Sequence, residues 1–163
     1  MTNSPRRAYL DANVLIAYLS NEPGRGPVVA SLLEDAERGS IELLTSVLTV
    51  TEVAFVASDH ASGDGPSAEE DNIAKLWVPE SPVKLTDVSM RVAERARDIV
   101  RTARSSDMKG VKPPDAIHLA SAEVHGCQHF FTYEGEATRG QWAHWVALAV
   151  DEPYTDNPQL DLS

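Results

Sequence analysis

The chain has 163 residues, 42% of them hydrophobic, enough for one domain with a continuous core and too apolar for a disordered chain. A net charge of -11 disfavours general binding to nucleic acid, and no run of apolar residues is long enough to span a membrane. Cys127 is the only cysteine, which excludes an internal disulfide, and no secretory apolar core follows Met1 to Arg7, so a cytoplasmic protein is expected.

Residues 8–11 read as a buried strand and residues 13–19 as a helix. Pro23 to Pro27 marks a turn, and 28–38 is a second helical run ended by Gly39. Residues 41–45 read as a strand. The stretch 46–57 is rich in Val and Thr, yet Val47, Val50, Ala54 and Ala57 share a helical spacing, and Ser46 can cap a helix there. Residues 59–71 read as a polar, acidic loop running into a short helix that ends near Trp77. A short strand follows at 83–85. Asp87 can cap a long helix to Arg104 with Val88, Val92, Ala96 and Ile99 or Val100 on one face. Residues 105–113 form a basic connection. Pro114 suits the first turn of a helix over 115–125 that Gly126 ends. Strands are expected at 128–133 and 145–150, with Cys127, Phe130, Trp142 and Trp145 in the core. The organisation is a single domain over residues 1–150 and a loose acidic tail over 151–163. Strands alternating with helices predict an α/β fold with a mostly parallel sheet covered on both faces.

Three acids sit in apolar runs that contain no matching Lys or Arg: Asp11, Glu52 and Asp115. Charged groups are rarely placed so unless something pairs with them. Glu134 follows the strand ending in Phe131-Thr132 and joins them at the carboxyl edge of a parallel sheet. Four carboxylates in one pocket repel, and divalent cations resolve the repulsion; all-oxygen ligation suits magnesium or manganese. Each acid also has a purely structural reading: Asp11 as a helix cap, Glu52 as an exposed helix residue, Asp115 as a partner of its helix dipole.

Four stretches resemble, in order and spacing, the motifs of PIN domains: Tyr9 to Ile16, Thr51-Glu52-Val53, Pro114 to Ala120 and Phe131 to Glu134. The resemblance spans residues 7–150. It implies a three-layer α/β/α fold and a metal-dependent ribonuclease using one or two Mg2+ or Mn2+ ions. It also implies kinship with VapC-type toxins, which are commonly homodimeric and inhibited by a cognate antitoxin. Asp11, Glu52 and Asp115 match the family's first three acidic ligands, and Glu134 stands where Asp is usual, its carboxylate about 1.5 Å further from the backbone. Glu136 is an alternative to it. Asn13 and Thr132 match polar positions that orient ligands or water. His118, one turn after Asp115, reads as a satisfied core histidine or as a group that steadies a ligand.

Seven of the 14 basic residues fall between positions 91 and 112, opposed there only by Glu94, Asp98 and Asp107. Arg101, Arg104, Lys109 and Lys112 are therefore the candidate phosphate contacts for an RNA substrate. Two other readings stand beside the nuclease. One is a catalytically weak PIN domain acting as a binding scaffold. The other is a phosphatase with Asp11 as nucleophile, disfavoured because Asn13 stands where a second Asp would be needed.

Overall fold

The structure is a computed structural model describing residues 4–60 and 68–156. Its strands are β1 (Arg6–Leu10), β2 (Ile41–Ser46), β3 (Val83–Thr86), β4 (His129–Phe131) and β5 (Ala149–Asp151). Its helices are α1 (Ala12–Leu19), α2 (Gly26–Glu37), α3 (Val47–His60), α4 (Ala68–Leu76), α5 (Met90–Arg104), α6 (Pro113–Val124) and α7 (Glu136–Trp145). All five strands are parallel, in the order β3-β2-β1-β4-β5. From β1 the chain winds outward through β2 and β3, then crosses back through α5 and α6 to place β4 on the other side of β1. The crevice between the carboxyl ends of β1 and β4 is thus the switch point of the sheet, where open α/β folds bind ligands.

Alternate side chains of the strands enter opposite layers, as the two-residue period requires. Ala8, Leu10, Leu43 and Phe131 pack with Val14, Leu15, Val29 and Leu32 of α1 and α2. Tyr9, Phe130 and Val150 pack with Val92, Ile99, Leu119 and Trp142 of α5, α6 and α7. Fully burying such a side chain contributes about 1.5–3 kcal/mol, so both faces of the sheet are well anchored. The three-layer α/β/α fold is as expected. Cys127 and Trp142 are core residues, and Trp145 lies half-buried beside them. Among the described residues no helix is long and apolar enough to cross a membrane.

Several local expectations hold. Ser46 caps α3, its Oγ accepting from Leu48 N–H at 3.1 Å, and Gly126 follows α6 with φ +71°, a conformation that side chains disfavour. Others are corrected. α5 is capped by Ser89, whose Oγ accepts from Val92 N–H at 3.2 Å, rather than by Asp87, and Val88 is left outside the helix and exposed. The strand expected at 145–150 is displaced: Trp145 closes α7, and only Ala149–Asp151 joins β4. α7 escapes a periodicity reading because it buries only Trp142 and carries Gly140 in its interior. Asp59 and His60 still belong to α3, and the loop positions 61–67 lie outside the described residues. The tail expected to be loose is tied down as far as Asp156: Tyr154 packs edge-on against Phe131, Thr155 donates to Asp35 at 2.8 Å and Arg6 pairs with Asp156.

Candidate active site

Asp11 leaves the end of β1 as the N-cap of α1, its Oδ1 accepting from Ala12 N–H at 2.9 Å. Thr132, completely buried past the end of β4, donates its hydroxyl to Asp11 Oδ2 at 2.9 Å. The same Thr132 oxygen accepts from Asn13 Nδ2 and from Glu134 N–H, each at 3.2 Å, while Asn13 Oδ1 accepts from Tyr133 N–H at 3.0 Å. One hydroxyl therefore joins the ends of β1 and β4 across the switch point. Asp11 is only 6% exposed, and this desolvation pushes its carboxyl above the usual range despite the opposing charge of His118 and two hydrogen bonds.

Asp115 occupies the first turn of α6, where the helix dipole favours an anion. Its carboxyl is nevertheless pushed up to about 6, first by burial and then by the charge of Asp11, with Glu134 and Glu52 adding to the rise and His118 opposing it. The four acids thus interact through a shared, partly desolvated space. None of Asp11, Asp115 and Glu134 has a Lys or Arg ion-pair partner among the described residues. Glu52, half-buried on α3, is engaged by His118 Nε2. Glu134 is fixed through its backbone, with Arg139 donating to its carbonyl at 2.8 Å. Glu136, the alternative to Glu134, lies exposed at the start of α7. The acids share one edge, but as placed no three Asp, Glu, His or Cys side chains among the described residues close into a complete cage for an ion.

His118 is 1% exposed, and both ring nitrogens are used: Nδ1 meets Tyr9 Oη at 2.6 Å and Nε2 meets Glu52. It is a satisfied core histidine, and one of its partners is a candidate acid. The sequence signal for this histidine is Tyr9. A hydroxyl inside the apolar run of β1, two residues before Asp11 and so on the same side of the strand, needs a buried partner. Arg25 carries no such signal in the sequence; its guanidinium lies 4.4 Å from the ring centroid of Tyr133, beside the Thr132 junction.

The basic stretch divides. Arg95 is a strut, forked onto Glu123 at 2.6 and 3.2 Å and donating to the Trp145 carbonyl at 2.9 Å. Arg101, Arg104, Lys109 and Lys112 are exposed and make no ion pair among the described residues. Phe130 and Trp142 meet edge-to-face with centroids 5.9 Å apart inside the core, which leaves neither ring free for a base.

The donor chemistry of this edge fits a hard divalent cation. Asp11 and Asp115 are carboxylates raised by burial and by neighbouring acids, with oxygen lone pairs left over and no Lys or Arg paired to them among the described residues. Solved structures share the fold. The VapBC2 structure from Rickettsia felis, solved with a promoter DNA fragment, superposes with TM-score 0.65 at 13% identity, covering 90% of this chain and 98% of that one. A toxin–antitoxin complex from Klebsiella pneumoniae gives TM-score 0.61 at 24% identity, covering 90% and 98%. VapC20 from Mycobacterium tuberculosis, described as a sarcin-ricin-loop-cleaving toxin, gives 0.61 at 14% identity, covering 82% and 94%. A search of curated protein sequences returned no significant match. At these identities the superpositions establish the fold alone. The sequence itself matches the family model of the PIN domain over residues 8–140, a span that takes in Asp11, Glu52, Asp115 and Glu134; the chain belongs to the PIN domain family.

Proposed function

We propose that this chain is a metal-dependent endoribonuclease, the toxin of a toxin–antitoxin pair acting in the cytoplasm. The observation that carries the reading is the carboxylate edge at the switch point, where Asp11, Asp115 and Glu134 lack a Lys or Arg partner among the described residues, with Asp11 buried and Asp115 raised to about 6 by burial and by its acidic neighbours. Asp11 and Asp115 would hold Mg2+ or Mn2+, with Glu52 and Glu134 completing or extending the site to a second ion. Such an ion, when bound, polarises a water and stabilises charge on the leaving oxygen.

The chain's own residues supply order. Thr132 and Ala12 N–H fix the Asp11 carboxylate, and Asn13 fixes Thr132 and the backbone of Tyr133. In the reaction the water oxygen bonds to phosphorus, the bond to O3′ breaks, and the water's proton ends on O3′, leaving a 5′-phosphate and a 3′-hydroxyl. The 2′-hydroxyl takes no part, so preference for RNA rests on shape and backbone contacts. Arg101, Arg104, Lys109 and Lys112 would meet the RNA phosphates, a role their exposure supports. Two of the solved relatives are themselves described as a VapBC protein and a toxin–antitoxin complex, which supports an antitoxin as partner. An inhibitor segment placing Arg or Lys among the carboxylates would satisfy the same charge that a cation does, and a homodimer belongs to the same reading.

The scaffold reading draws on Glu52, whose carboxylate is already engaged by His118, and on the absence of a closed ligand cage among the described residues. Cleavage of a mixed RNA pool in Mn2+, Mg2+ or EDTA separates the two, with wild type set against Asp11→Asn and Asp115→Asn. Metal-dependent cleavage with 5′-phosphate ends, lost in both variants, is expected. A folded wild type that neither cleaves nor binds Mn2+ would leave the scaffold.

A further inference from the structure

A single hydrogen-bonded chain, buried as far as His118, links the elements that carry three of the acids. Ser46 N–H, at the start of α3, donates to Tyr9 Oη at 2.9 Å; Tyr9 Oη meets His118 Nδ1 at 2.6 Å; and His118 Nε2 meets Glu52 Oε1. Tyr9 stands two residues before Asp11 on β1, Ser46 caps the helix bearing Glu52, and His118 lies one turn after Asp115 on α6. Filling this volume requires no polar atoms: Phe or Leu would pack without two nitrogens to satisfy in a site 1% exposed. The nitrogens are instead directed, one to the strand and one to the acid.

We propose that His118, supported by Tyr9, is a positioning residue that holds the Glu52 carboxylate at the acidic edge. With Oε1 committed to His118, Oε2 is the atom Glu52 presents to the site. The Tyr9 hydroxyl sets the plane of the imidazole by occupying Nδ1, and the Tyr9 ring is itself held by stacking on Phe130, with centroids 5.2 Å apart. The arrangement parallels the outer partners that orient ligands in metal sites, where losing one partner typically weakens metal affinity or activity about 10–100-fold. The proposal rests on the metal-dependent reading above.

The test is a double-mutant cycle on the full chain, comparing wild type, His118→Gln, Glu52→Ala and the double variant. Mn2+ affinity is read by electron paramagnetic resonance, RNA cleavage by product ends, and folding by circular dichroism. His118→Gln is expected to weaken Mn2+ binding about 10-fold or more, and to add less than about twofold once Glu52 is already Ala. Tyr9→Phe, which keeps the stacked ring, should act in the same direction, and it carries the cycle if His118→Gln does not fold. Equal losses with and without the Glu52 carboxylate, or no loss at all, would overturn the positioning role. Asp11→Asn serves as the control for the metal reading itself. Wild-type Mn2+ binding that is lost in Asp11→Asn but indifferent to His118 and Tyr9 sinks only the relay, whereas wild type that binds no Mn2+ sinks both.

Discussion

Asp115→Asn should stabilise the metal-free protein at neutral pH while removing its response to Mn2+. The Asp115 carboxyl is raised from 3.8 to about 6 in the fold, so between these values the folded state holds more protons than the unfolded chain. Its contribution to stability is therefore complete at low pH and is lost as pH climbs from about 4 to 6. At 1.36 kcal/mol per tenfold change the full effect would be about 3 kcal/mol, and solvent screening of this half-buried group reduces it to about 1–2 kcal/mol. Asparagine cannot ionise and escapes that loss, although it forgoes an attraction to the α6 dipole of about 0.5 kcal/mol. The net expectation is a variant about 1 kcal/mol more stable than wild type at pH 7.5 in EDTA, or roughly 2–4 °C in Tm, with the gap closing by pH 4. Added Mn2+ should reverse the order, since a ligand at 100 times its Kd stabilises wild type by about 2.7 kcal/mol. Urea and thermal denaturation at pH 4, 6 and 7.5, with EDTA or Mn2+, measure all of this. A variant no more stable than wild type at pH 7.5, with an unchanged pH profile, would refute the claim that repulsion and desolvation dominate this edge.

Thr132→Val keeps the volume but removes the donor to Asp11 Oδ2 and the acceptor for Asn13 and Glu134; losing a charge-assisted bond worth about 1.5–3 kcal/mol should weaken Mn2+ binding at least about 10-fold by calorimetry. Arg95→Ala breaks the fork to Glu123 and the bond to the Trp145 carbonyl, so chemical denaturation should show a loss of about 1–3 kcal/mol with RNA affinity unchanged. The Arg101→Gln, Lys112→Gln pair should do the opposite, leaving Tm alone and flattening the dependence of log affinity on log salt by about 1.4 for single-stranded RNA; an unchanged slope removes the basic stretch from substrate binding. Cys127, its thiol pushed up to about 12 by burial, should remain protonated and resist alkylation at pH 8 until the protein unfolds, as quantified by mass spectrometry.

Much of this protein is local information. The apolar runs at β1, β2 and β4, the caps at Asp11 and Ser46, and the Gly after α6 are short-range signals written into consecutive residues, so the alternating α/β plan and the four acids near the ends of its strands and the starts of its helices are legible along the chain. α7 was not, because a helix burying one tryptophan has almost no periodicity to read, and the tail was not, because its anchors on Asp35, Phe131 and Arg6 lie more than a hundred positions away or belong to another layer. Tertiary structure alone decided what the acids experience. Only the crossing that sets β4 beside β1 brings Thr132 to Asp11, only the packing of α6 over β1 joins His118 to Tyr9, and only burial beside other acids turns ordinary carboxyls into raised ones. Residue types and their spacing name the groups available for chemistry; distance and desolvation, which depend on the whole fold, determine how those groups are charged and which of them act together.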